Sequence, residues 1–167
     1  MFLTGNNGDD VNEYTLSTGF DVSTASFVDS FDISSQEGGP RDLAFSADGT
    51  KMFVVGVLGD DVNEYTLSTA FDVSTSSFVD SFDISSQEDS PTGLAFSKDG
   101  TKMFVAGNGG DDINEYTLST GFDVSTASFV DSFDVSSQDT APNGLTFNSD
   151  GTKMYVVGNQ GNDINEY

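Results

Sequence analysis

A repeat of 51 residues runs through this chain and restricts its fold more than any other feature. Met1, Met52, Met103 and Met154 each begin nearly the same stretch of sequence, and neighbouring copies agree without gaps at roughly three positions in four. Such a period is typical of solenoids, propellers and other repeat arrays. We therefore expect one tandem-repeat domain over residues 1–167, with repeats at 1–51, 52–102 and 103–153 and a partial fourth at 154–167.

Each repeat contains four short segments with the residue pattern of β-strands, which we letter A to D. Around the second repeat these are Leu43–Phe45 (A), Met52–Val55 (B), Val62–Leu67 (C) and Ser77–Ile84 (D). Four antiparallel strands joined by short turns are typical of a propeller blade. The prediction is an all-β protein, a β-propeller of four-stranded antiparallel blades with about three and a quarter repeats per chain. An open β-solenoid is the alternative.

The strands then follow the order BCD, ABCD, ABCD, ABC, so the chain begins and ends within a blade. Propellers close with about four to eight blades, and closure removes exposed sheet edges. Three and a quarter repeats are too few to close a ring. We therefore expect a piece of a longer array whose copies assemble as a homo-oligomer, most simply a dimer that completes a closed ring.

The stretch Leu145–Asn159, with the sequence LTFNSDGTKMYVVGN, resembles the YVTN-type, lactonase-like propeller repeats. The block typical of those repeats has the form F-x-x-D-G-x-x-Y-V, and a similar block lies in register around Phe45, Phe96 and Phe147. The resemblance implies a propeller made of such blades. Since members of the wider group are often secreted or surface proteins, it also implies an extracellular location or one on a cell or virion surface.

Composition excludes several classes of function. The chain contains neither Cys nor His, so it has no thiolate nucleophile, no disulfide and no histidine general base or metal ligand. Its formal net charge of −23 repels nucleic acid. No apolar run approaches the roughly 20 residues that a membrane-spanning helix needs. We therefore expect no nucleic-acid partner and no membrane insertion.

The uniform repeats also bear on catalysis. An enzyme site on a propeller needs unlike residues from several blades, whereas near-identical repeats place the same side chain on each blade. With His and Cys absent, we expect a protein that binds or supports rather than an enzyme, with no catalytic residues. The alternatives are a calcium-stabilised structural repeat and a fragment of a lactonase- or glycosidase-like hydrolase.

An acidic segment recurs in every repeat, as Gly8–Glu13, Gly59–Glu64, Gly110–Glu115 and, with one change, Gly161–Glu166. Calcium takes six to eight oxygen ligands, which such a segment can supply. No cofactor is required by the sequence, but calcium is the one it favours, and its candidate ligands are Asp9, Asp10, Asp60, Asp61, Asp111, Asp112 and Asp163. The alternative is that these aspartates cap turns.

A glutamate ends each acidic segment within strand C, at Glu13, Glu64, Glu115 and Glu166. An apolar residue is usual at one face of such a strand. These glutamates therefore either form a ring that faces the gaps between blades or lie in a solvated position.

The repeats differ from one another mainly in the B–C turn and in the D–A connection. In an up-and-down blade both lie on one face of the disc, and loops on a rigid scaffold commonly carry binding function. We therefore predict a recognition surface for a protein or glycan on this face. Its candidate residues are Asn6, Asn7, Arg41, Asp42, Val57, Leu58, Asp89, Thr92, Asn108, Asn143, Asn159 and Gln160.

Overall fold

The computed structural model describes residues 1–5 and 7–167. Over these residues the chain is almost entirely β-structure, with three single-turn 3₁₀ segments at Val22–Thr24, Val73–Thr75 and Val124–Thr126. The strands of the described chain are β1 (Phe2–Gly5), β2 (Asp10–Leu16), β3 (Ala25–Asp32), β4 (Pro40–Phe45), β5 (Lys51–Gly56), β6 (Asp61–Leu67), β7 (Ser76–Asp83), β8 (Pro91–Phe96), β9 (Lys102–Gly107), β10 (Asp112–Leu118), β11 (Ala127–Asp134), β12 (Pro142–Phe147), β13 (Met154–Gly158) and β14 (Ile164–Glu166). Within the described residues, no helix has the length and apolar character needed to cross a membrane.

The strands form four antiparallel sheets, and each sheet is one blade. Their orders are β1-β2-β3, β4-β5-β6-β7, β8-β9-β10-β11 and β12-β13-β14. We number the blades 1 to 4 along the chain. The predicted order BCD, ABCD, ABCD, ABC is therefore confirmed, although strand A begins at Pro40 rather than Leu43.

The core lies between blades rather than within them. Strands β4, β8 and β12 are the A strands of blades 2 to 4, and β8 contacts both of the others, so the three form the inner wall. Between blades 2 and 3, one apolar cluster joins Phe53 and Val55 to Leu94 and Val105. Blades 2 and 3 are apolar on both faces, and each of them buries side chains against two neighbouring blades.

Strand C carries the glutamates whose environment the sequence left open, and the structure places Glu64 between two blades. Its side chain is only 2 % exposed, and its Oε1 accepts a hydrogen bond from Lys51 Nζ at 2.6 Å. Its Oε2 accepts a hydrogen bond from the backbone N–H of Val124 in the next blade, at 2.9 Å. Glu13 accepts the N–H of Val73 in the same way, at 3.1 Å. The inter-blade interpretation therefore applies to both glutamates.

The A–B turns are fixed by an aspartate, as the Asp-Gly pattern predicts. Asp48 Oδ1 accepts hydrogen bonds from Ser46 Oγ at 2.7 Å and from the N–H and hydroxyl of Thr50 at 3.1 and 2.8 Å. These donors, the Ser46 hydroxyl first, lower the pKa of Asp48 to about 2. The Ser97 hydroxyl does most to lower the pKa of Asp99, also to about 2.

These two pKa values predict how stability changes in acid. A carboxylate whose pKa is lower in the folded than in the unfolded chain stabilises the fold above the unfolded pKa, and that stabilisation disappears as pH falls through the folded value. The double variant Asp48→Asn/Asp99→Asn should thus be less stable than the wild type near pH 7. The difference should begin to shrink near pH 5 and should vanish only below about pH 2. Urea denaturation across this range measures it, and a difference independent of pH would contradict the prediction.

Candidate functional site

Each of the A strands β4, β8 and β12 begins with a β-bulge. In β4 the pairing with β5 passes from Pro40 opposite Gly56 to Asp42 opposite Val55, which leaves Arg41 as the extra residue. The same shift leaves Thr92 as the extra residue in β8 and Asn143 in β12. A bulge redirects a side chain out of the regular ladder. Three equivalent positions near the axis are therefore aimed away from the sheets, and they carry three unlike residues.

The bulged residues line a polar cavity of about 470 Å³ together with residues from the B–C turns. The cavity is lined by Arg41, Val57, Ser90, Thr92, Asn108, Asn143 and Asn159. Asn143 Nδ2 donates to Asn159 Oδ1 at 2.9 Å, and the Thr92 hydroxyl reaches the carbonyl of Pro142 in the neighbouring blade at 2.7 Å. We call this the axial cavity. It collects six residues of the predicted recognition surface, supplied by three blades.

Charge singles out Arg41 among them. It is the one arginine of the chain, and the other four cations are lysines that lie in or directly after A–B turns, on the opposite face of the disc. The remaining lining residues offer amide and hydroxyl groups and the apolar Val57. Such a cavity suits a compact polar ligand with a negative charge or a developing one, because guanidinium and amide N–H groups are donors to anionic oxygen.

Buried carboxylates hold the two loops that form the cavity. Glu88 is 1 % exposed, and its oxygens accept the backbone N–H groups of Ser90 at 2.7 Å, Gly109 at 2.9 Å and Gly110 at 3.4 Å. Glu37 and Asp139 make the equivalent bonds in the flanking blades. The N–H of Gly161, foremost among the donors, lowers the pKa of Asp139.

Our sequence analysis did not identify these three acids, although one signal was present. An acid occupies the same position in three repeats, directly before a connection that otherwise varies. Each acid ties a D–A connection to a B–C turn, so the cavity rim is fixed by the fold.

Asp42, predicted to lie on the recognition surface, is instead wedged between two A strands. Its Oδ2 accepts the N–H of Leu94 in β8 at 2.8 Å, and burial raises its pKa. The next repeat has Gly93 at this position, where a Cβ atom would lie 2.9 Å from the Cα of Gly144. Neighbouring A strands therefore contact one another differently at this position, which is a second departure from repeat symmetry near the axis.

The other predicted surface residues that the structure describes do not line the cavity. Leu58 is 73 % exposed at the tip of its turn. Asn7, Asp89 and Gln160 are also exposed on the same loops. Asn6 lies outside the described residues.

The structure does not gather the candidate calcium ligands into a site. Among residues 1–5 and 7–167, no group of three or more acidic side chains is arranged to hold a metal ion. Asp9, Asp60 and Asp111 have left-handed backbone conformations with φ of 50–54°, which is turn geometry. The other candidate ligands each accept a hydrogen bond from the side-chain amide of the asparagine two residues later. These are Asp10, Asp61, Asp112 and Asp163.

Comparison with known proteins places the chain among propellers. The sequence pattern of the family described as "Lactonase, 7-bladed beta-propeller" matches residues 8–167. A putative 6-phosphogluconolactonase from Bacteroides uniformis is 16 % identical with a TM-score of 0.70, over 99 % of this chain and 46 % of that one. A second, from Bacteroides fragilis, is 14 % identical with a TM-score of 0.68, over 95 % and 44 % of the two chains. The periplasmic gluconolactonase of Pseudomonas aeruginosa is 17 % identical with a TM-score of 0.60, over 99 % and 48 %. No curated protein matches the chain.

These findings confirm the predicted propeller and the lactonase-like resemblance, and they correct the expectation that the chain is not an enzyme. The expectation failed because it treated the repeats as uniform. The bulge position alone supplies Arg41, Thr92 and Asn143, so few differences suffice to make a site from unlike residues. The chain spans less than half the length of the three solved structures. Because the family match covers nearly all of its residues, this chain belongs to the family of seven-bladed β-propeller lactonases.

Proposed function

We propose that these blades form part of a hydrolase of sugar lactones and that the axial cavity binds the substrate. The observation that carries this proposal is the convergence of three unlike bulged residues, one of them the chain's single arginine, on one polar cavity. Family membership supports the reaction class. Two of the similar solved structures are described as putative 6-phosphogluconolactonases and one as a gluconolactonase.

Lactone opening suits a site of this composition. Water adds to the ring carbonyl carbon, the ring C–O bond breaks, and the product is a hydroxy acid. Negative charge develops on the carbonyl oxygen during addition, so fixed N–H donors accelerate the step without a covalent enzyme nucleophile. In our proposal the amides of Asn108, Asn143 and Asn159 provide such donors or bind the sugar hydroxyls.

Arg41 has a separate role in this proposal, which is to bind the anionic part of the substrate or of the opened acid. The surrounding protein is strongly acidic and repels anions. A guanidinium at the cavity wall offsets that repulsion locally and bonds a carboxylate or phosphate through two N–H groups.

The test is lactone hydrolysis by the 167-residue chain, followed by acid release at constant pH with gluconolactone and 6-phosphogluconolactone. Arg41→Thr installs the residue that the next repeat has at the same position, so the fold should tolerate it. We expect kcat/KM for the phosphorylated lactone to fall at least about 10-fold, the equivalent of one good charged contact.

A matched control is Lys98→Ser, which removes the same charge on the opposite face and copies Ser149 of the following repeat. Its kcat/KM should remain within about two-fold of the wild type, since its charge is remote and screened. If both variants lost the same kcat/KM, Arg41 would act only through the net charge of the protein and not by contact with the substrate. No hydrolysis above the uncatalysed rate by the wild type would refute the proposed function.

A further inference from the structure

Three asparagines of this chain are followed directly by glycine, namely Asn7, Asn108 and Asn143. Asparagine is a thermolabile residue, and its side-chain amide is lost most readily before glycine, because glycine has no Cβ to hinder attack by its own backbone nitrogen. Asn108 and Asn143 both line the axial cavity. Two amides of the cavity therefore lie in the dipeptide that most favours deamidation.

Deamidation of such a pair needs no reactant other than water. The glycine nitrogen attacks the side-chain carbonyl carbon of the asparagine, so that a new C–N bond closes a cyclic imide. The proton of that nitrogen passes to the departing amide group, which leaves as ammonia when its bond to the carbon breaks. Water then opens the imide to aspartate or isoaspartate, and nothing is oxidised or reduced. A neutral amide that donates hydrogen bonds thereby becomes a carboxylate that only accepts them.

The first of these cavity residues, Asn108, lies in the exposed B–C turn of blade 3. An exposed turn offers little resistance to the rotation that closes the imide. In the described part of the chain, no hydrogen bond holds the side-chain amide of Asn108. Gly109 leaves room for two acids, since a Cβ atom there would lie 2.5 Å from Asp89 Oδ1 and 2.6 Å from Glu88 Oε1. The reactive dipeptide is therefore part of how this turn is built.

A buried carboxylate lies at the proton that the reaction must remove. Glu88 Oε1 accepts the N–H of Gly109 at 2.9 Å, which is within the reach of a general base. The same oxygen accepts the N–H of Ser90 at 2.7 Å, so the carboxylate is fixed at this turn. Glu88 is therefore placed to take the proton as the nitrogen attacks and to return it to the departing ammonia.

The second cavity residue, Asn143, has the same dipeptide in a restrained position. Its Nδ2 donates to Asn159 Oδ1 at 2.9 Å, and Gly144 lies in the ladder between β12 and β13. Closing an imide here would break that hydrogen bond and twist the strand, whereas a turn opens locally at low cost. Asn143 is therefore an internal comparison for Asn108, with the same chemistry in the same cavity.

We propose that Asn108 is a site of spontaneous deamidation, assisted by Glu88, and that the reaction cancels the positive charge of the axial cavity. Arg41 supplies that charge, and the other lining residues are neutral. A cavity of about 470 Å³ is comparable in width to the Debye length of about 8–10 Å, so a new carboxylate in it attracts the guanidinium. The consequence for ligands rests on the function proposed above: the modified cavity binds anionic substrates more weakly, so the site loses its preference for them with age.

The test of the site is ageing of the 167-residue chain in buffers of increasing pH, followed by peptide mapping with mass spectrometry. We expect Asn108 to be modified at least about 10-fold faster than Asn143, roughly the effect of one hydrogen bond that must break only at Asn143. Asn7, exposed in the B–C turn of blade 1, is the reference for pH dependence. Its rate should rise in proportion to hydroxide, whereas that of Asn108 should rise less steeply because Glu88 serves as the base. Equal rates at Asn108 and Asn143 would overturn the site, and parallel pH profiles at Asn7 and Asn108 would overturn the role of Glu88.

The charge effect is tested with Asn108→Asp, which installs the product directly. Its matched control is Asn108→Val, which copies Val57 of the preceding repeat and also removes the amide, without adding a charge. We expect the preference for 6-phosphogluconolactone over gluconolactone, as a ratio of kcat/KM values, to be at least about 10-fold lower in the aspartate variant than in the valine variant. An equal preference would overturn the charge effect. Absence of hydrolysis by the wild type would refute the proposed function, whereas the rates of modification at Asn108 and Asn143 would still decide whether Asn108 is the site.

Discussion

Replacing Glu88 with alanine is expected to lower the free energy of unfolding by about 3–5 kcal/mol. The substitution removes the acceptor of three backbone N–H groups, those of Ser90, Gly109 and Gly110, in a place where Glu88 itself is only 1 % exposed. Buried donors without a partner each cost about 1–3 kcal/mol, and the loss of side-chain volume adds to that. Urea denaturation monitored by circular dichroism measures the change.

Two controls separate this effect from a general loss of negative charge. Asp89→Ala removes the exposed acid next in sequence and should change stability by no more than about 0.5 kcal/mol. Glu88→Asp installs the residue that the next repeat uses at position 139 and should cost much less than alanine. If Glu88→Ala were no worse than Asp89→Ala, the carboxylate would not be what holds the loops of the axial cavity.

Glu64→Ala is expected to destabilise the chain by about 2–4 kcal/mol, because it removes the central acceptor of an inter-blade contact. The variant leaves the N–H of Val124 without its acceptor and Lys51 without its counter-ion. The same residue in the next repeat is a matched control. Glu115 pairs with Lys102 and is partly exposed, and among residues 1–5 and 7–167 it accepts no backbone N–H from a neighbouring blade.

Glu115→Ala should therefore cost no more than about 1 kcal/mol, in the range of surface ion pairs. Equal losses for Glu64→Ala and Glu115→Ala would contradict an inter-blade role for Glu64.

Much of the fold follows from the sequence because the repeat shows each pattern several times. Apolar runs such as Met52–Val55 and Asp-Gly turns recur in register, which fixes the four strands and their order. The starts of the A strands were missed since Pro40, Arg41 and Asp42 resemble a loop. A bulge accounts for that resemblance: its extra residue interrupts the alternation of apolar and polar side chains.

The candidate site was predicted in part. Comparison of the repeats with one another indicates the variable face, and the structure gathers Arg41, Thr92 and Asn143 there around one cavity. Sequence alone does not show which variable residues face the axis, because that depends on the bulges and on contacts between blades. Asp42 illustrates the limit: it varies between repeats as Arg41 does, yet it bridges two strands inside the wall.

The sequence did not reveal the role of the buried acids or the different packing of equivalent phenylalanines, because the repeats are so similar. Glu37 and Glu88 precede variable loops and resemble solvated residues until their backbone partners are known. Phe20 has the same sequence environment as Phe71 and Phe122, and only the packing distinguishes a seated ring from an exposed one. Identical sequences thus occupy different environments, which depend on whether a neighbouring blade is present.

The most direct test of the axial site is a titration of the isotope-labelled chain with gluconate, the product of gluconolactone opening, followed by nuclear magnetic resonance. We predict saturable shifts of the side-chain signals of Arg41, Asn108, Asn143 and Asn159, with no change in the A–B turn around Lys98. Saturable shifts confined to the A–B turns, or unchanged signals for all four cavity residues, would contradict the assignment of substrate binding to the axial cavity.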